Sequence, residues 1–156
     1  NQFKDAYLSG GVVFGPASAS NVSSQTLDSY EEGSWTMGMT TTNADSNITI
    51  NNTTGYYTKV GRLVTVNIYN AGANIISVGT GAAKITGLPF VIANGSGYYG
   101  AASFAHTNVF STTYSAYGAV NQSYLIVTQV GSYGNASWAA GTPMYFMMSF
   151  TYMTNA

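Results

Sequence analysis

The stretch Arg62-Leu63-Val64-Thr65-Val66-Asn67-Ile68-Tyr69-Asn70 decides the fold class. In an extended chain Val64, Val66 and Ile68 fall on one face and Leu63, Thr65, Asn67 and Tyr69 on the other, the period-two pattern of a strand with one buried face. A helix would need apolar positions three or four apart, and no segment supplies them for more than a turn or two. The alternation recurs over 123–130, where Tyr124, Ile126, Thr128 and Val130 interleave with Leu125, Val127 and Gln129. It recurs again over 144–153, with Met144, Phe146, Met148, Phe150 and Tyr152 on one side. The other side of that stretch, Tyr145, Met147, Ser149, Thr151 and Met153, is also bulky, which predicts a central or inter-subunit strand covered on both faces.

Working outward, shorter strands are expected at 34–40, 47–50, 55–60, 74–78, 82–86, 97–104 and 106–111. Turn signals such as Gly79-Thr80-Gly81, Gly87-Leu88-Pro89, Asn94-Gly95 and Gly141-Thr142-Pro143 separate them. Many short strands with regular turns describe an all-β fold, a jelly-roll-like antiparallel β-sandwich. Residues 1–26 differ: one short apolar strand around Gly10–Pro16 precedes a small, polar Ser/Ala/Asn stretch, so 1–26 reads as a lead-in and 27–156 as the domain. The absence of an initiator Met at Asn1 suggests a piece of a longer chain.

Composition narrows the function. Only 6% of the 156 residues are charged, with four basic and five acidic side chains, while 17 Ser, 19 Thr, 14 Asn and 13 Tyr supply the polarity. Four cations cannot neutralise a phosphate backbone, which excludes nucleic acid as a partner, and an anionic membrane surface is an equally poor one. No apolar run reaches the ~18 residues of a membrane span. Without Cys there is no disulfide, thiolate nucleophile or Cys-based metal site, and one His with a scattered set of carboxylates makes no metal cluster, so no cofactor is expected.

Leu27-Asp28-Ser29-Tyr30-Glu31-Glu32-Gly33-Ser34-Trp35-Thr36 closely resembles the L-D-D-Y-E-E-G-T-W-T-P signature that opens the C-terminal head domain of many bacteriophage tail fibre and tailspike proteins. Two further blocks resemble that family in order. Gly55-Tyr56-Tyr57-Thr58-Lys59-Val60-Gly61-Arg62-Leu63-Val64-Thr65-Val66 is similar to its G-x-Y-T-K-I-G-x-x-V-x-V hairpin, and Gly81–Phe90 to its G-x-x-x-I-x-G-L-P-F block. Ser149-Phe150-Thr151-Tyr152 is similar to its final aromatic strand. Ser29 and Met37 depart from the usual Asp and Pro. The specific match spans about 27–90, so no binding residue carries over from it. The resemblance implies a homotrimeric β-sandwich head at the distal end of a virion's tail fibre, joined to the remainder of the fibre and recognising a bacterial cell-surface glycan.

The residues themselves argue against catalysis. Glu31 and Glu32 are adjacent and point to opposite faces of an extended chain, whereas a glycosidase pair must flank one bond. They read as structural, capping or pairing with Lys59, Arg62 or Lys84. Trp35, Met37 and Met39 alternate as core, Gly61 sets a hairpin turn, and Leu88-Pro89-Phe90 anchors a strand end. His106 has no carboxylate near it in sequence and suits a hydrogen bond to a ligand better than a triad. Tyr98, Tyr99, Tyr114, Tyr117, Tyr133, Asn135 and Trp138 lie among small and polar residues, and with His106 they form the candidate binding set. Rings stack on the C–H faces of pyranoses while amides and hydroxyls bond their hydroxyls without ligand charge. Tyrosine serves subunit contacts equally well, so a trimer-interface role stays open for these rings. The Gly-framed loop 131–141, with Tyr133 and Trp138, is the foremost candidate. Two rival readings stand beside the receptor-binding head: a structural module that trimerises and caps the fibre, and, less favoured, a polysaccharide depolymerase domain.

Overall fold

A computed structural model of the chain describes residues 12–13, 26–27, 29–108, 114–130 and 136–155. In chain order the strands are β1 (Val12–Val13), β2 (Thr26–Leu27), β3 (Tyr30–Thr36), β4 (Gly38–Thr41), β5 (Asn47–Thr49), β6 (Thr54–Val60), β7 (Leu63–Ser77), β8 (Ala83–Thr86), β9 (Gly100–Ala105), β10 (Tyr114–Gly118), β11 (Tyr124–Gln129) and β12 (Gly141–Met153). Of the expected lead-in only β1 and β2 are described, and they pair with each other. The rest of 1–25, including most of the Gly10–Pro16 strand, lies outside the described residues.

Every pairing is antiparallel, and one hydrogen-bonded path runs β3-β6-β7-β12-β9-β10-β11-β8-β4, with β5 added to β7. The result is a nearly closed, barrel-like antiparallel sandwich, the all-β class that the alternation predicts. β12 is central, as its two bulky faces suggest, lying between β7 and β9. Its inner face and that of β7 meet in the core, where Val64, Val66, Phe146 and Phe150 are fully enclosed beside Leu125, Val127 and Ile85. Its outer face is open to solvent: Met147 is 42% exposed.

Several strands differ from the sequence reading: β10 (Tyr114–Gly118) has no counterpart in it, and other differences have local reasons. The stretches 62–70 and 74–78 form one strand, because Gly72, at φ +90°, is the extra residue of a bulge: Ala71 lies opposite Tyr145 and Ala73 opposite the adjoining Met144. The expected strand at 34–40 is two, since the chain leaves β6 for β8 at Met37, whose N–H donates to the Thr53 carbonyl (2.7 Å). The crossing presses on Gly87, where a Cβ would come within 2.0 Å of the Thr36 oxygen. The stretch 97–104 begins as a single 3₁₀ turn at Ser96–Tyr98, and His106 ends β9 at φ +45°, so no strand starts there. Residues 109–111 of that expected strand lie outside the described residues.

The turn after β4 is closed by one carboxylate. Asp45 accepts from the Thr41 hydroxyl (2.8 Å), the Thr80 N–H (2.8 and 2.9 Å) and the Thr80 hydroxyl (2.5 Å), tying 42–46 to the Gly79-Thr80-Gly81 turn. These donors, the Thr80 hydroxyl foremost, hold its pKa at about 2 rather than 3.8. A carboxylate depressed on folding contributes stability above its unfolded value and loses it as pH falls toward the folded one. Asp45→Asn is therefore expected to lower the denaturation midpoint at about pH 6, with the gap from the parent closing between about pH 4 and pH 2. Urea unfolding at several pH values checks this; a gap independent of pH would show that the clamp is not the ionised carboxylate.

Candidate functional site

Tyr30–Thr36 of the opening motif lie in the β3–β6 ladder. In the β3–β6 ladder Gly33 lies opposite Tyr57, and Trp35 opposite Gly55. A Cβ on Gly33 would meet the Tyr57 ring at 2.8 Å, and one on Gly55 the Trp35 ring at 2.3 Å, so each strand presents a glycine to the other's aromatic ring. Tyr57 then packs edge-on against Phe90 (centroids 5.4 Å apart, 86°), and Phe90 exchanges backbone hydrogen bonds with the Tyr152 hydroxyl (3.2 and 3.0 Å). All four motif blocks thus converge on one corner of the sandwich.

The predicted ion pairs are replaced there by phenols and rings. Tyr57 donates to Glu31 (2.5 Å) and Tyr30 donates to Glu32; these hydrogen bonds to carboxylates raise both phenol pKa values above 10. Lys59 donates to the Ser29 hydroxyl (2.7 Å) and lies 5.7 Å from the centroid of the Phe90 ring. Arg62 donates to the Thr154 carbonyl (2.9 Å) and covers the Tyr98 ring, and Lys84 lies over Tyr124 at 4.7 Å. Lys59 lies directly opposite Glu31 in the β3–β6 register, yet its ammonium turns to Ser29, and an exposed ion pair contributes little stability to draw it back. Asp28 lies outside the described residues. Among the described residues no three His, Cys, Asp or Glu side chains gather into a metal site.

The eight candidate binding residues do not form one site. Tyr98 is half-buried under Arg62, which donates to its hydroxyl (3.4 Å), and Tyr114 is packed against the core. Tyr99, 57% exposed, and Tyr117 make a tilted ring pair (6.4 Å) elsewhere on the surface. Trp138 corrects the loop reading: only 3% exposed, it lies in the core and its indole N–H donates to the Thr40 carbonyl on β4 (2.7 Å). Small neighbours in sequence did not leave this ring in solvent, because the fold brings β4 over it. Tyr133 and Asn135 lie outside the described residues. His106 is exposed and stacks on Tyr145 (4.7 Å, 24°) with Tyr69 at 6.1 Å.

That last cluster borders an open groove of about 510 Å³ on the outer face of β6, β7, β12 and β9. Strand register arranges its lining in two bands. Tyr56, Asn67, Ser149 and Ser103 lie directly opposite one another in a row across the four strands. Two residues along, roughly 7 Å away, Tyr69, Met147 and Ala105 form a second row. The first row carries an amide and three hydroxyls, and the second an aromatic ring, a thioether and a methyl. Thr54 and Asn52 also line it, and among the described residues no Lys, Arg, Asp or Glu does.

Asn52 is held by a buried partner. Fully enclosed Asn70 donates from Nδ2 to the Asn52 carbonyl (2.5 Å), and Asn52 donates back to the Tyr69 carbonyl (2.8 Å), fastening the 51–53 segment beside the groove. Sequence reasoning missed this site because the outer face of 63–69 was read only as the polar side of a strand and that of 145–153 as covered. The signal was present in the alternation; what was missing was the strand order that sets the two faces side by side.

Such a surface can bind but supplies no obvious general acid, base or nucleophile pair. Its contacts are ring stacking and neutral hydrogen bonds. Since Trp138 is core, Trp138→Phe is expected to lower stability by about 1 kcal/mol through the lost N–H···O bond, read as a denaturant midpoint shift at unchanged m-value. An unchanged midpoint would mean that the Thr40 contact contributes nothing. Comparison of the chain with models of protein families, with curated proteins and with solved structures finds no match.

Proposed function

We propose that the chain is the non-enzymatic receptor-binding head of a phage tail fibre or tailspike, homotrimeric and placed at the distal end of the fibre, and that it binds uncharged bacterial surface polysaccharide in the groove across β6, β7, β12 and β9. The observation that carries the reading is the two-banded lining. A pyranose has an apolar C–H face and an edge of hydroxyls, and Tyr69 and Met147 on one side with Asn67, Ser149 and Ser103 on the other match that division. The volume of about 510 Å³ falls within the range of small-molecule sites. Each contact would be weak in one copy; three copies on a tip and several tips on a virion raise the effective affinity without further chemistry.

The resemblance at 27–90 supports the phage assignment, and the convergence of Glu31, Trp35, Tyr57, Phe90 and Tyr152 gives its motif residues a common structural purpose. A purely structural capping module is the second reading, favoured by the apolar side chains exposed on the same outer face, among them Tyr56 at 68% and Leu63 at 45%.

Two measurements test these readings. On immobilised bacterial surface polysaccharides the parent chain is expected to bind a subset. Tyr69→Ala and Asn67→Ala should each weaken that binding roughly tenfold, about 1.4 kcal/mol for a lost ring or hydrogen-bond contact, with Tyr99→Ala unaffected and no reducing ends released. Full binding by both groove variants would overturn the site. Light scattering is expected to give three times the 16.4 kDa chain mass. A monomer would remove the trimeric, multivalent mechanism, and a trimer that binds no polysaccharide would favour the capping module.

A further inference from the structure

We propose, resting on the glycan reading above, that the groove selects neutral sugars carrying a methyl group, a 6-deoxyhexose or an N-acetylated hexose, over sugars with a hydroxymethyl in its place. The selecting surface is the row Met147–Ala105 beside Tyr69. Met147 is central in the sheet yet 42% exposed, and its thioether is soft and adaptable in shape. Ala105, opposite it on β9, ends at its Cβ, and the two side chains line the groove together as an apolar seat. Neither the Met147 nor the Ala105 side chain offers a strong hydrogen-bonding atom. A hydroxyl seated there would lose its water with nothing in exchange, whereas a methyl would leave water at a gain.

The polar groups stand one row away. Asn67, Ser149 and Ser103 lie roughly 7 Å along the strands, about the width of a pyranose ring. A ring bonded through its hydroxyl edge to that row therefore directs its opposite substituent onto Met147 and Ala105. Among the described residues no Lys, Arg, Asp or Glu lines the groove, so a carboxylated or amino sugar would bring a charge that finds no partner there. Charge and polarity together define the occupant: uncharged, hydroxylated on one edge and methylated on the other.

The test uses free sugars in matched pairs, so that no knowledge of the natural polysaccharide is needed. L-rhamnose with L-mannose and L-fucose with L-galactose differ only at the 6-position; N-acetylglucosamine with N-glycolylglucosamine differs only in a hydroxymethyl in place of the acetyl methyl. Each is titrated into the whole chain carrying ¹³C-methyl methionine. The Met147 methyl, assigned through Met147→Leu, reports the groove, and the buried Met37 methyl serves as internal control.

At least one methyl-bearing sugar is expected to move the Met147 signal at a concentration about tenfold below its hydroxymethyl partner, with Met37 unmoved. Ala105→Ser, which puts a hydroxyl opposite Met147 and leaves the Met147 methyl as reporter, should abolish that preference while the Met37 signal stays at the parent position. Equal titration within every pair would overturn methyl selection and leave the glycan site standing. No response of Met147 to any sugar at concentrations up to the solubility limit would overturn both. The deoxy and acetyl arms separate which methyl source the seat accepts.

Discussion

The register of β7 against β12 is the constraint on which the remainder depends. Val66 lies opposite Phe150 and Ile68 opposite Met148, which commits Val64, Val66, Ile68, Phe146, Met148 and Phe150 to the interior. The intervening pairs Asn67–Ser149 and Tyr69–Met147 are committed by the same register to the outside. A slip of β12 by one residue would exchange its two faces, burying Ser149 opposite Val66 and exposing Phe150 opposite Thr65. Core and groove are therefore two sides of one decision. Gly72 absorbs the extra residue that lets the ladder continue past Ala71 without disturbing that register.

Around this ladder the aromatic rings use glycines as flooring. Trp35 covers Gly55, Tyr57 covers Gly33, and Phe150 reaches Gly100 and Gly118, where an added Cβ would come within 2.8 and 2.7 Å of its ring. Glycine weakens a strand on its own, but a large ring lying flat across the bare backbone recovers buried area and shields the ladder hydrogen bonds. This arrangement accounts for a chain rich in both glycine and aromatic residues that builds a core with few long aliphatic side chains. It also fixes the β3–β6 hairpin to Phe90 and Tyr152, two segments distant in sequence.

The fold was legible wherever a period of two ran for more than a few residues. Leu63–Asn70, Tyr124–Gln129 and Met144–Met153 all form strands, with Val130 falling in the turn after β11, and the Trp35, Met37, Met39 alternation is buried as read. What could not be read was neighbourhood. Trp138 sits in a segment of Ala, Ser and Gly and looked solvent-facing, but β4 lies over it and supplies the Thr40 carbonyl. Glu31 looked like a partner for lysine because charge is visible in a sequence and a phenol's direction is not; Tyr57 supplies the donor instead. The groove escaped notice for the same reason. Tyr56, Asn67, Met147 and Ser103 come from four strands whose adjacency follows from β9 and β6 flanking the β7–β12 pair, a topological fact with no local sequence signature.

A nearly uncharged β protein must also avoid joining its neighbours edge to edge, and the two ends of the hydrogen-bonded path do so differently. At the β4 end the strand is only four residues long, Gly38–Thr41, too short to template a partner strand. At the β3 end the strand carries Glu31 and Glu32, two of the chain's five acidic residues, side by side and exposed. Like charges repel when two such edges approach, which guards the open backbone against polymerisation. The acidic pair in the opening motif thus has a colloidal role: it keeps separate copies of the chain from zipping into sheets.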